Sequence, residues 1–226
     1  MLFKTRAIAL SYIRYKESSI IAKFYTELFG IQTYIVNSIR TTKSRNRIAL
    51  FQPLTLLELV VYKNPAKDIQ RISEIKCRLP FHSIPFSIKK SAIALFITEL
   101  LGKTLTNEEE NEELFSYIDY AVAKLDEIES GAENFHLQFM LGLCRYLGFE
   151  PTSTQELLTE IGETWYIHKP ELILLEQIMT TAYGDCKGGN RNTRNNLLQS
   201  LMKFYRQHLI IHSDFKSVQV LHEVLE

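Results

Sequence analysis

Cysteine is scarce in this chain: Cys77, Cys144 and Cys186 stand far apart in 226 residues, and no C-x-x-C pair occurs. That spacing excludes zinc ribbons and dithiol redox motifs built on closely spaced thiols. So few cysteines, odd in number, suit a reducing compartment and lead us to expect a soluble cytoplasmic protein without disulfides. Membrane-spanning runs are missing, since no stretch approaches the roughly 18 apolar residues a span needs. The start, Met1-Leu2-Phe3-Lys4-Thr5-Arg6, leads into a short apolar run broken by Ser11 and Arg14, so no signal peptide is expected. Catalytic signatures are missing too. There is no G-x-S-x-G, no Walker-type Gly-Lys loop and no G-x-G-x-x-G, and Gly188-Gly189 beside Lys187 lacks the rest of such a pattern. His208 and His212 have a spacing that can hold zinc on a helix, but Leu209 stands where a metalloprotease needs Glu, so helix surface is the better reading. No catalytic residue, metal or cofactor is assigned, and the chain is expected to act by binding.

What is present is enough for a large core. Hydrophobic residues make up 46%, with 13 Phe and 11 Tyr, and the length suits two domains. Net charge is zero, yet the charge is unevenly spread. Residues 1–80 hold fourteen Lys and Arg against five Asp and Glu, a formal +9, and the remainder holds twelve against twenty-one, −9. Such asymmetry points to a basic half that meets nucleic acid or a membrane surface.

The pattern also changes near residue 80. Residues 4–77 read as strands: KTRAIALSYIRY, SSIIAKFYTE and IQTYIVNSI are rich in Ile, Val, Thr, Tyr and Phe. Ile20, Ala22 and Phe24 alternate with Ile21, Lys23 and Tyr25, and Leu28–Gly30 makes a tight hairpin. A fourth apolar run, Leu54–Tyr62, ends in the turn Lys63-Asn64-Pro65, and a fifth strand covers Ile69–Cys77. Five strands with a longer third connection suit an OB-fold, and an SH3-like barrel reads much the same. Beyond Pro85 the period is helical. Ser87 caps Ile88–Leu101, and the capping box Thr106–Glu109 opens a helix to about Glu129. Asn134–Tyr146 ends at Gly148, and Ser153-x-x-Glu156 opens a short helix. Glu171–Thr181, Asn195–His212 and Phe215–Leu225 follow, with the mobile loop GDCKGGNRN between the first two. The expected class is α+β: an N-terminal β-barrel, residues 1–80, followed by an all-helical domain, residues 81–226.

The densest basic cluster, Arg40, Lys43, Arg45 and Arg47, has no acid among its neighbours. Such side chains neutralise phosphates and give sequence-independent, salt-sensitive affinity. OB-folds bind through one barrel face and the loops joining strands 1–2 and 4–5. Here those loops carry Arg14 with Lys16 and Lys63 with Lys67, and Lys23 lies on the strand between. Tyr12, Tyr15, Tyr25 and Tyr34 offer rings for stacking on bases as a set, while for any one of them a place covering the barrel is the better reading. An RNA-binding adaptor remains the alternative to a DNA-binding one.

The order of these features resembles the RecO family of recombination mediators, in its Bacteroidetes-type members. The resemblance rests on Thr5–Leu10, on Arg14-Tyr15-Lys16-Glu17-Ser18-Ser19, and on Thr26 with Gly30. It continues through the basic run Arg40–Arg47 with Phe51-Gln52-Pro53-Leu54-Thr55, through Leu147-Gly148-Phe149-Glu150-Pro151, and through Tyr205-Arg206-Gln207-His208-Leu209. It implies an OB-fold and a helical domain, binding of single- and double-stranded DNA, and annealing of complementary strands. It further implies cooperation with RecR in loading recombinase onto strands coated by single-strand-binding protein, in the cytoplasm at the nucleoid. Some relatives carry a four-cysteine zinc site, for which this chain offers only Cys186, so no metal is expected. The acidic, apolar tail of single-strand-binding protein is expected on the helical domain, with Arg145, Phe139, Leu143 and Tyr146 as candidate residues.

Overall fold

The computed structural model describes residues 1–37, 42–105, 109–162, 169–211 and 213–225, without the side chains of 42–46 and 169. Five strands come first: β1 (Leu2–Tyr15), β2 (Ser19–Thr26), β3 (Gly30–Val36), β4 (Leu56–Tyr62) and β5 (Ile69–Leu79). They close a barrel in the order β1-β2-β3-β5-β4, with β3 and β5 parallel and the other pairs antiparallel. This is an OB-fold, the first of the two barrel types the sequence suits.

Strand β1 closes the ring because it is long and irregular. Its first half pairs with β4 and its second with β2, and its register with β2 shifts between Ala9 and Ser11. A bulge of this kind bends a strand, so one chain segment serves two neighbours. The turn from β2 to β3 is also set locally. Thr26 Oγ1 donates to Gly30 O at 2.9 Å and accepts from Phe29 N–H, while Gly30 takes a φ of 57°. Inside the barrel pack Ala7, Ala9, Ile20, Ala22, Phe24, Tyr34, Leu57, Leu59 and Val61. A 3-10 segment, Thr42–Phe51, inserts Phe51 against Phe24 and Tyr12. Phe24 is fully buried, so its truncation to Ala removes about 3–5 kcal/mol.

The helices are α1 (Ile88–Thr104), α2 (Glu112–Glu127), α3 (Phe135–Leu147), α4 (Thr154–Glu160), α5 (Lys169–Thr180), α6 (Arg191–His208) and α7 (Ser217–Val224). Helix α2 does not start from Thr106. Residues 106–108 lie outside the described set, Glu109 and Glu110 are not helical, and Asn111 Oδ1 accepts from Leu114 N–H as the cap. Helix α6 begins at the Asn190 cap and ends at His208, with Leu209 extended, so its C-terminal boundary falls short of His212.

The chain forms two compact units. One comprises Met1–His82 with Thr98–Val122, the other Ser83–Ile97 with Ala123–Glu226. The end of α1 and most of α2 therefore belong with the barrel. Phe115 lies 5.9 Å from the Tyr25 ring, and Asp119 pairs with Arg78 and, at 4.0 Å, with Arg6. In the helical unit, Phe96, Phe135, Leu137, Phe139, Leu143, Leu201 and Phe204 are buried. The C-terminus of α2 is held there by Lys90 and Ser83, whose Nζ and Oγ both donate to Asp126 O.

Candidate nucleic-acid interface

Half of the outer face of β2 is already covered within the barrel unit. Tyr25 lies under Phe115, and Lys23 Nζ meets Gly102 O at the end of α1, 3.5 Å away. Ile21, one step further towards the β1–β2 turn, is only half-buried. It belongs to a row of directly opposed residues that crosses the strands: Ile13 with Ile21, Ile21 with Ile35, Ile35 with Arg71, and Arg71 with Tyr62. Opposed residues on paired strands point the same way, so the row forms one outward ridge. Ile13, Tyr15, Tyr62 and Ile69 are exposed along or beside it.

Beside this ridge is an open cleft of about 450 Å³ lined by Tyr15, Ile21, Ile35, Tyr62, Ile69 and Arg71, with Lys63, Asn64 and Lys67 at its edge. Its edge loop is preorganised by Gln70, which is 3% exposed. Gln70 Oε1 accepts from Asn64 N–H at 2.9 Å, and its Nε2 donates to Asn64 O and Lys67 O. The other loop is a tight turn with Lys16 at a φ of 53° and its ammonium 5.4 Å from the Tyr15 ring.

Charge on the barrel sorts by side. Arg6 and Arg78 are occupied by Glu27 and Asp119 next to α2; the Glu27 bond raises the Arg6 pKa, and Arg6 lowers that of Glu27. Lys4 pairs with Glu58 and Lys76 with Glu74. Arg14, Lys16, Lys67 and Arg71 have no carboxylate partner among the described residues, and no acid lines the cleft.

The expected contact residues fall into distinct groups. Arg14, Lys16 and Lys67 are exposed at the two loops, and Arg47 is exposed on the 3-10 segment. Lys63 is half-buried, its ammonium bonded to Gln32 Oε1 at 2.8 Å and set over the Phe29 ring. Lys23 is half-buried, its ammonium turned towards Gly102 O at the end of α1. Arg40 and the side chains of Lys43 and Arg45 lie outside what the structure describes. Two of the four tyrosines are not available for stacking: Tyr34 is sealed in the barrel against Phe24, and Tyr25 is buried under Phe115, which pushes its pKa up to about 12. Tyr12 packs on Phe51, and Tyr15 alone of the four lines the cleft. Tyr62 and Arg71 went unrecognised in the sequence. Alternation along β5, where Gln70 is buried and Arg71 exposed, is the signal that marks Arg71.

Of the candidates on α3, Arg145 is exposed and Tyr146 half-buried, but Phe139 and Leu143 are wholly buried. The Gly- and Asn-rich loop before α6 is pinned. Asn134 Nδ2 donates to Cys186 O and Gly188 O, at 2.8 and 2.9 Å, and Gln138 holds Thr181 O and Ala182 O. No group of three His, Cys, Asp or Glu is placed to hold a metal among the described residues. His208 bonds Glu160 Oε2 and stacks on Phe149, while His212 is outside the described set.

Residues 1–81 match the family model for the N terminal of recombination protein O, and residues 85–216 match the model for its C terminal. The chain belongs to the RecO family. It is 37% identical over 238 aligned positions to the DNA repair protein RecO of Flavobacterium psychrophilum, covering 99% of both chains. It is 34% identical to that of Bacteroides fragilis, covering 100% of both, and 32% to that of Flavobacterium johnsoniae, covering 99% of both. The two RecO models meet near Pro80, the strand-to-helix change in the sequence, whereas the compact units divide within α1 and α2. No helix among the described residues is long and apolar enough to cross a membrane.

Proposed function

We propose that this RecO-family chain is a DNA repair and recombination mediator that works by binding, without a covalent step. The observation that carries the reading is the outer ridge of the barrel, where Lys67 and Arg71 line an apolar, acid-free cleft and Arg14 and Lys16 flank its lining residue Tyr15 in the chain, while Arg6 and Arg78 are neutralised by Glu27 and Asp119. DNA lies across this side, its phosphates on the loop cations and on the basic run Arg40–Arg47. By holding strands through their backbones, the barrel receives both single and double strands and anneals complementary ones. RecR cooperates in loading recombinase onto strands coated by single-strand-binding protein. The helical unit takes that protein's acidic tail beside Arg145 and Tyr146, where a guanidinium meets a carboxylate.

The test is annealing of complementary strands precoated with single-strand-binding protein, which the chain is expected to accelerate. An RNA-binding adaptor would need neither DNA nor the coat. Replacing Arg14, Lys67 and Arg71 together by Gln is expected to flatten the salt dependence of single-strand binding by about two units, at roughly 0.7 per phosphate. An unchanged slope places the DNA elsewhere.

A further inference from the structure

The cleft beside Tyr62 has a chemistry that backbone contacts do not require. Phosphates need only cations, and Lys67 and Arg71 supply them at the edge. Between those cations the surface is apolar and aromatic: Ile21, Ile35 and Ile69 with Tyr15 and Tyr62. An occupant that combines an apolar flat ring with flanking negative charge matches this set, and the absence of acid from the lining suits its phosphates. We propose that the cleft seats one unstacked base, and that this seat makes the barrel face favour single strands over duplex. The inference rests on the reading of this face as the DNA surface.

In a duplex each base is stacked on its neighbours and paired, so its ring faces are closed to a side chain. A single strand turns a base outwards at small cost, and every base has a π face, so the seat selects strandedness and not sequence. The loop is prepared for such an occupant. Gln70 ties Asn64 to Lys67 through three hydrogen bonds, so the loop is ordered before a strand arrives. Tyr62 and Arg71 are opposed across β4 and β5, just beyond the register shift at Val60 and Val61, which puts a ring and a guanidinium side by side. A base on the ring then has its own phosphate within the reach of Arg71. Duplex DNA meets the same cations from outside and leaves the cleft empty.

The test compares Tyr62→Ala and Tyr62→Phe with the parent chain at fixed salt, by fluorescence anisotropy. The probes are a short oligothymidine, the same strand with abasic sugars, and a duplex of equal length. Tyr62 is 47% exposed, so both variants are expected to fold, and a thermal melt checks this. Tyr62→Ala should weaken oligothymidine binding by roughly tenfold to a hundredfold. Duplex binding should change by less than about twofold, and Tyr62→Phe should retain the parent affinity. The parent chain should bind the abasic strand about as weakly as Tyr62→Ala binds oligothymidine. Equal loss for single strand and duplex, or an abasic strand that binds as well as the intact one, overturns the base seat. Lys67→Gln with Arg71→Gln separates the two levels of the argument. If that pair weakens both DNA forms while Tyr62→Ala changes neither, only the base seat fails; if the pair changes neither, the DNA surface is elsewhere and both readings fall.

Discussion

Replacing Asp119 by Asn tests how the barrel's cations are divided between structure and DNA. The carboxylate is 17% exposed, bonds Arg78 directly and lies 4.0 Å from Arg6. An exposed ion pair is worth about 0–1 kcal/mol and breaking a fully buried one costs about 3–5. Asp119 stands between these limits, with one charge-assisted hydrogen bond of about 1.5–3 kcal/mol at stake. Asn keeps an acceptor but not the charge, so the loss should sit at the low end, about 1.5 kcal/mol. In urea that moves the midpoint of the barrel unit down by roughly 0.5–1.5 M. The same variant is then titrated with single-stranded DNA across a salt series. If DNA crosses the cleft and its two loops, releasing Arg6 and Arg78 leaves the salt slope as it was. A slope steeper by about 0.7 or more would mean that a released cation meets a phosphate, and would refute that placement. An unmoved midpoint would equally refute the claim that α2 is clamped to the barrel by this cluster.

Arg145→Ala should weaken binding of the tail peptide of single-strand-binding protein about ten- to a hundredfold, with DNA binding unchanged, as the loss of one charge-assisted contact requires; normal peptide affinity removes Arg145 from that site. His136 is buried against Phe96, and burial pushes its pKa down to about 3, with Arg194 and His222 adding to the effect. The unfolded imidazole protonates near pH 6.5, so between about pH 6.5 and 3 the unfolded chain binds the extra proton. Stability should fall as the pH is lowered through that window by up to about 1.4 kcal/mol per unit, and His136→Gln should flatten that slope in acid titrations. Asn134→Ala strips Cys186 O and Gly188 O of their donor and should expose the loop. A thiol reagent that reacts with exposed Cys77 but slowly with buried Cys186 in the parent chain should then modify both.

Much of this protein is written locally. Alternation through Ile20–Tyr25, the Thr26–Gly30 turn and the shift of period after Pro85 determine five strands followed by helices, because each depends on residues a few positions apart. The +9 of residues 1–80 likewise marks the half suited to phosphate. Boundaries that turn on one competing cap were less legible: Asn111, and not Thr106, starts α2, since a cap works only where the chain actually enters the helix. Which tyrosines face outwards was not legible at all. Tyr25 alternates outwards along β2 and is nevertheless covered by Phe115, ninety residues later in the chain. Phe139 and Leu143 share a helix with Arg145, but the packing of the helical unit seals the first two and leaves the third in solvent. Sequence alone thus determined the elements, the charge of each half and the family, all of which are sums over near neighbours. The cleft was decided by tertiary structure, because Ile21, Ile35, Arg71 and Tyr62 become one surface only when four strands pair in a single register.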